Sequence, residues 1–190
     1  MTRLVRLAGL LLLLTASVVS SAPLEWRLTR PARTPPGVVP FVDQSSQLRL
    51  DVPPGWRVRA ETLNGVRQLT VIPPKADQRE RAAIHVVIRV RPFADDESLE
   101  RLAADFRQAH GDREAATLWR YSPKVGRLVV EYREGRYVSG QLWIVRLNLG
   151  LYQRVDKNRL LEVHCAANAS EYKTYRRNLE AICYSVAYGK

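Results

Sequence analysis

The chain has 190 residues, with 30 Lys or Arg against 19 Asp or Glu, for a net charge of +11. Its 46% hydrophobic and 26% charged residues are ordinary for a globular protein and too apolar for a disordered one. Two cysteines exclude a disulfide-dense miniature scaffold and a Cys-rich zinc module.

Residues 1–22 fall into three zones. Arg3 and Arg6 give a positive start, Leu7 to Val19 is apolar, and Ser20, Ser21 and Ala22 are small. This order predicts a secretory signal peptide. The apolar zone is about 13 residues, short of the roughly 20 a spanning helix needs; an uncleaved anchor is the alternative. Pro23 opposes cleavage directly after Ala22, which places the cut a residue or two earlier. No Cys lies nearby to take a lipid, and no later apolar run is long enough to cross a membrane. Loss of Arg3 and Arg6 leaves a mature charge of about +9. Outside the cytosol that charge meets acidic protein faces or anionic envelope components rather than nucleic acid. Of the 30 cations 25 are Arg, the side chain suited to bidentate contact with carboxylate or phosphate. Genomic base composition is the competing explanation.

Residues 23–45 hold five of the 11 prolines and read as an extended leader. Residues 46–190 suit a single domain. Leu48, Leu50 and Val52 alternate with polar residues, a strand ended by Pro53-Pro54-Gly55 before Trp56. Val66–Ile72 is a second strand. Ile84, Val86, Ile88 and Val90 alternate with His85, Val87, Arg89 and Arg91, a third. Asp95 to Ser98 supply caps and negative charge for a helix with Leu99, Leu102, Ala103 and Phe106 on one face, closed by Gly111. Leu128, Val130 and Tyr132 mark a strand, and Glu134-Gly135 predicts a tight turn after it. Tyr137 to Leu149 then reads as one strand buried on both faces. Leu160 to Ala166 is a further strand. A second helix begins near Asn168 to Ser170, with Tyr172, Tyr175, Leu179 and Ile182 on one face. The order predicts an α+β fold, an antiparallel sheet with packed helices.

The run Leu48 to Trp56 (LRLDVPPGW) is similar to the opening strand and Pro-Gly-Trp turn of the PsbP-like and Mog-like proteins. The end of the chain resembles them too, with Leu160 to Ala166, the helix from Ser170, and Ile182 to Val186 as a tail strand. The resemblance covers most of residues 46–188. It implies an α/β/α sandwich, with helices packed on both faces of the antiparallel sheet. It also implies non-enzymatic protein binding: plant members are accessory proteins of the oxygen-evolving photosystem, and Mog proteins bind a small GTPase. It carries over no ligand-binding residue.

The cysteines are the sharpest chemical signal. Leu161, Val163, Cys165 and Ala167 share one strand face, and Glu162 and His164 the other. Cys183 extends the buried stripe of Leu179 and Ile182. Both sulfurs then face the layer between helix and sheet, and in an oxidising compartment they pair. Two buried free thiols are the alternative. Glu162 and His164 supply only two metal ligands, so no metal is expected. His85 lies among arginines, and His110 at a helix end. No GxSxG, HExxH or Gly-rich phosphate loop is present, and no cofactor or catalytic residue is expected. The tryptophans read mainly as core. Trp26 in the leader, with Arg127, Arg133, Arg136 and Tyr137, interleaves aromatics with cations and is the candidate partner surface.

These readings predict a monomeric, periplasmic or secreted accessory domain that engages an acidic protein, as an assembly factor or an inhibitor. The alternative is a carrier for a small or lipidic ligand. A hydrolase with a dispersed site ranks third.

Overall fold

A computed structural model describes residues 35–74, 83–94, 97–138 and 142–189. The signal-peptide reading and Trp26 lie outside the described residues. The elements in chain order are β1 (Val39–Asp43), β2 (Leu48–Val52), β3 (Arg57–Leu63), β4 (Val66–Ile72), β5 (Ile84–Pro92) and α1 (Leu99–Phe106). Then follow β6 (Leu118–Ser122), β7 (Arg127–Val138), β8 (Leu142–Arg154), β9 (Arg159–Asn168), α2 (Ala169–Ser185) and β10 (Ala187–Tyr188). A seven-stranded sheet runs β3-β4-β5-β9-β8-β7-β6, and a three-stranded sheet runs β1-β2-β10. Every pairing is antiparallel. The fold is α+β.

Side chains alternate across a strand, and the two apolar clusters follow that alternation. Val129, Leu149, Leu151, Leu161, Val163 and Cys165 cluster with Leu179, Ile182 and Cys183 of α2. β2 adds Leu48, Leu50 and Val52 to the same cluster. Leu128, Val130, Tyr152 and Leu160, the intervening residues, cluster instead with Leu99, Ala103 and Phe106 of α1. The second face is covered only in part, because α1 meets β6 and β7. Over β5 and β9 that face carries polar side chains.

Four local expectations need correction. Val39–Asp43, read as the end of the leader, is β1 and pairs with β2. Asp43 fixes it: its carboxylate accepts from Arg67 Nε and Nη2, both at 2.7 Å, and from Ser46. The Arg67 guanidinium holds the Asp43 carboxyl down at about 2. Glu134-Gly135 is no turn, because β7 runs through it with Glu134 opposite Arg146 and Gly135 opposite Val145. Gly135 is required by Trp143, whose ring would lie 1.8 Å from a Cβ at that position. The long apolar run from Tyr137 is therefore divided between β7 and β8. α1 stops at Phe106, before Gly111, although Ser98 caps it as expected by accepting from the Arg101 amide. Finally, α2 continues to Ser185, so residues 182–185 are helical and the tail strand shrinks to Ala187–Tyr188. Ser185 Oγ explains the sharp exit: it donates to the Ile182 carbonyl and accepts from the Asp51 amide of β2.

Cys165 of β9 and Cys183 of α2 form a disulfide, with Cα atoms 6.4 Å apart. Both are fully buried. It closes a loop of 18 residues and pins α2 onto the sheet.

Candidate functional site

Two surfaces concentrate polar side chains, one on each face of the large sheet. The first is a groove of about 240 Å³ between β7 and α2. Arg133 and Glu131 line it from β7, Tyr172 and Arg176 from α2, and Leu147 from β8. Arg176 is held by Glu180 at 2.7 Å, one turn on along the helix. The Tyr172 phenol is pushed up to about 12 by burial, with Glu131 adding to the effect, so it stays a neutral donor.

Farther along the same face, Arg127 of β7 and Arg120 of β6 act electrostatically on Tyr184 of α2. Arg127 is partly buried, and its Nε has no hydrogen-bond partner; burial lowers its pKa. Among the described residues Arg120, Arg127 and Arg133 form no ion pair. Arg127 and Arg133 thus share a face, about 20 Å apart along one strand. Arg136 lies opposite Ile144 and Tyr137 opposite Trp143; their side chains lie outside the described set.

The second surface is an open cleft of about 340 Å³ over β4, β5, β9, β8 and β7. Strand register assembles it: Val87 lies opposite His164, and Arg89 opposite both Glu162 and Gln68. Arg89 donates through Nε and Nη2 to Glu162 Oε2, each at 2.8 Å, and Arg91 Nε adds a contact at 3.3 Å. His164 Nε2 lies 2.9 Å from Asn148 Oδ1 and 3.4 Å from the Tyr132 hydroxyl. Its ring meets that of His85 edge-on at 5.6 Å. Burial, then His85, Arg146 and Arg89, push the His164 pKa down to about 4. Burial pushes Tyr132 up to about 12 and Tyr152 up as well. At neutral pH the cleft therefore presents a neutral imidazole and two neutral phenols. Among the described residues no group of three or more His, Cys, Asp or Glu side chains could hold a metal ion.

No family model matches the sequence, and no curated protein matches it. Solved structures do match. Cyanobacterial PsbP (CyanoP) from Synechocystis sp. PCC 6803 is 15% identical, with a TM-score of 0.50 over 84% of this chain and 99% of its own. The Ran-binding protein Mog1p of Saccharomyces cerevisiae is 10% identical, with a TM-score of 0.51 over 78% of this chain and 86% of its own.

The fold is PsbP/Mog-like.

In this PsbP/Mog-like domain the opening motif does what its residues suggest. Trp56 is buried and meets Tyr175 of α2 edge-on at 5.9 Å. Trp119 and Trp143, read as core, are instead 43% and 49% exposed. Trp119 lies beneath Arg107, 4.6 Å away, and Trp143 lies over Gly135. The α2 side of the groove, Tyr172 and Arg176, was not named from the sequence as a surface. Its signal was present: Tyr172 puts a polar tip on the apolar stripe of an amphipathic helix, and Arg176 follows it one turn on. His85 and Gln68 of the cleft carried no such signal, because register alone brings them to His164.

Proposed function

We propose that this protein is an exported, non-enzymatic accessory domain of the bacterial cell envelope that binds an acidic protein partner through the β7–α2 groove. The observation that carries the reading is a set of three arginines on one face, Arg120, Arg127 and Arg133, with no ion pair among the described residues. On α2, Tyr184 lies within electrostatic reach of Arg120 and Arg127, and Tyr172 lines the groove with Arg133. Unpaired guanidinium groups next to aromatic rings recognise carboxylates well, since both the fork of donors and the flat cation are then used. The PsbP/Mog-like fold supports the same reading by analogy, as one solved neighbour is described as Ran-binding. The Cys165–Cys183 disulfide supports an oxidising compartment.

The test is capture from the source organism's envelope extract with the mature chain, and with an Arg133→Glu, Arg176→Glu variant. The expected result is a stoichiometric protein that elutes with salt from the native chain and is not retained by the variant. Retention by both chains, or recovery of lipid in place of protein, contradicts it.

A further inference from the structure

The outer strands of a sheet leave N–H and C=O groups unpaired, a template for another strand. Among the described residues the two sheets end on four strands, β1, β10, β3 and β6. Three of these edges are guarded. β1 carries Pro40, which has no N–H to donate. β10 is two residues long. β3 carries Arg57, Arg59 and Glu61, with Arg59 and Glu61 paired at 3.3 Å, so an incoming strand meets both signs.

β6 differs from all three. It has no proline and one charged residue, Arg120. Alternate residues of the strand turn their N–H and C=O away from β7. Its side chains divide by face. Leu118 packs into the cluster under α2, and Arg120 shares that face. Tyr121 packs into the cluster under α1, and Trp119 shares that face, exposed beside Arg107. Val125, in the turn that follows, is exposed as well.

The charge along this edge has one sign. Arg107, Arg120 and Lys124 are exposed and form no ion pair among the described residues. One strand in, Arg127 lies opposite Ser122 and Glu131 opposite Leu118. The other carboxylates stand off. Glu114 and Asp112 bond through their backbone to Arg133 and Gly135, beyond the start of β6. Asp105 is held by Arg113, and Glu100 lies in the first turn of α1, at the far end from Arg107. A second copy of the chain would bring its own cations to the same edge, like charge against like. An acidic strand meets complementary charge instead.

We propose that β6 is a strand-addition edge that takes an extended acidic segment of the partner as an eighth strand of the large sheet. Carboxylates on alternate residues of that segment meet Arg120, and the apolar residues between them meet Trp119. The sign of the segment rests on the acidic-partner reading above; the backbone pairing does not.

The test is amide hydrogen exchange by NMR on the mature chain with a synthetic heptapeptide that alternates glutamate and valine. The expected result is at least tenfold slower exchange at β6 amides on saturation, with β3 unchanged. Two control peptides should bind at least tenfold more weakly: one with glutamine for glutamate, and one methylated at every backbone nitrogen. Arg120→Glu should weaken the acidic peptide at least tenfold and leave the thermal midpoint unchanged, whereas Arg59→Glu on β3 should leave binding unaltered. Absence of protection in β6 overturns the proposal. So does equal binding of the methylated peptide, which removes strand addition but leaves acidic recognition standing. Equal binding of the glutamine peptide overturns it too, and removes the acidic-partner reading with it.

Discussion

At the scale of single residues, His164 is a histidine that burial keeps neutral. Its folded pKa is about 4 against 6.5 for the free imidazole. Between those values the unfolded state binds more protons, so stability rises with pH. The contribution is complete above pH 6.5 and is lost as pH falls through 4. At full size it is on the order of 3 kcal/mol. Chemical denaturation of the native chain and of His164→Gln, followed from pH 7.5 to 4, should show a steeper decline in the native chain. Equal slopes would mean that His164 is solvated. Gly135 makes a second residue-scale test. A methyl group there cannot coexist with the observed Trp143 ring position. Gly135→Ala should cost about 1–3 kcal/mol, the usual range for overpacking. It should also red-shift tryptophan emission, as Trp143 is displaced toward water. An unchanged midpoint and spectrum would show that the ring lies elsewhere.

At the scale of elements, the disulfide and the Asp43 clamp do different work. Cys165–Cys183 joins α2 to the middle of the sheet, and a closed loop of this size contributes about 3 kcal/mol. Reduction without denaturant should lower the thermal midpoint, and Cys165→Ala, Cys183→Ala should reproduce the loss. A midpoint indifferent to reduction would mean that α2 is held by packing alone. The Asp43–Arg67 pair instead joins β1 to β4 across the two sheets. Asp43→Asn should lose amide protection in β1 while β8 and β9 keep theirs, as hydrogen exchange would show.

Elements also mark where sequence reading succeeds and fails. Period-two alternation found β2, β5 and β9 because each buries one face in the same apolar cluster. The Ser98 cap found the start of α1. β1 was missed because Pro40 suggests a linker. Pro is tolerated at the outer strand of a sheet, and the pairing is settled by Arg67, far along the chain. The Asn64-Gly65 turn was also missed, although both residues adopt positive φ between paired Leu63 and Val66. That dipeptide was a legible hairpin signal. Glu134-Gly135 carried a false one, because the need for that glycine is a cross-strand contact that no local rule contains.

At the scale of the whole molecule, the two faces of the sheet are chemically distinct. One is closed by α2 and the small sheet, and its margin carries Arg120, Arg127 and Arg133, which form no ion pair among the described residues, beside tyrosines. The other is only partly covered by α1 and presents histidine, phenol and guanidinium groups in an open cleft. The groove was partly legible, since Arg127 and Arg133 could be named from one strand. The cleft was legible only in its Glu162 and His164 pair, because its residues come from five strands and meet only through register. If the groove is the docking surface, partner affinity should fall steeply with salt while fold stability barely moves, since Arg120, Arg127 and Arg133 form no ion pair among the described residues and Arg176–Glu180 is a surface pair. Salt-independent affinity would transfer the interaction to apolar contacts.

The claim that the β7–α2 groove is the docking surface is tested most directly by site-specific photocrosslinking in the source envelope. A crosslinking residue is placed at Arg133 in one chain and at His85, on the opposite face, in another. One discrete protein adduct is expected from position 133 and none from position 85. An adduct from position 85 with none from 133 would contradict it.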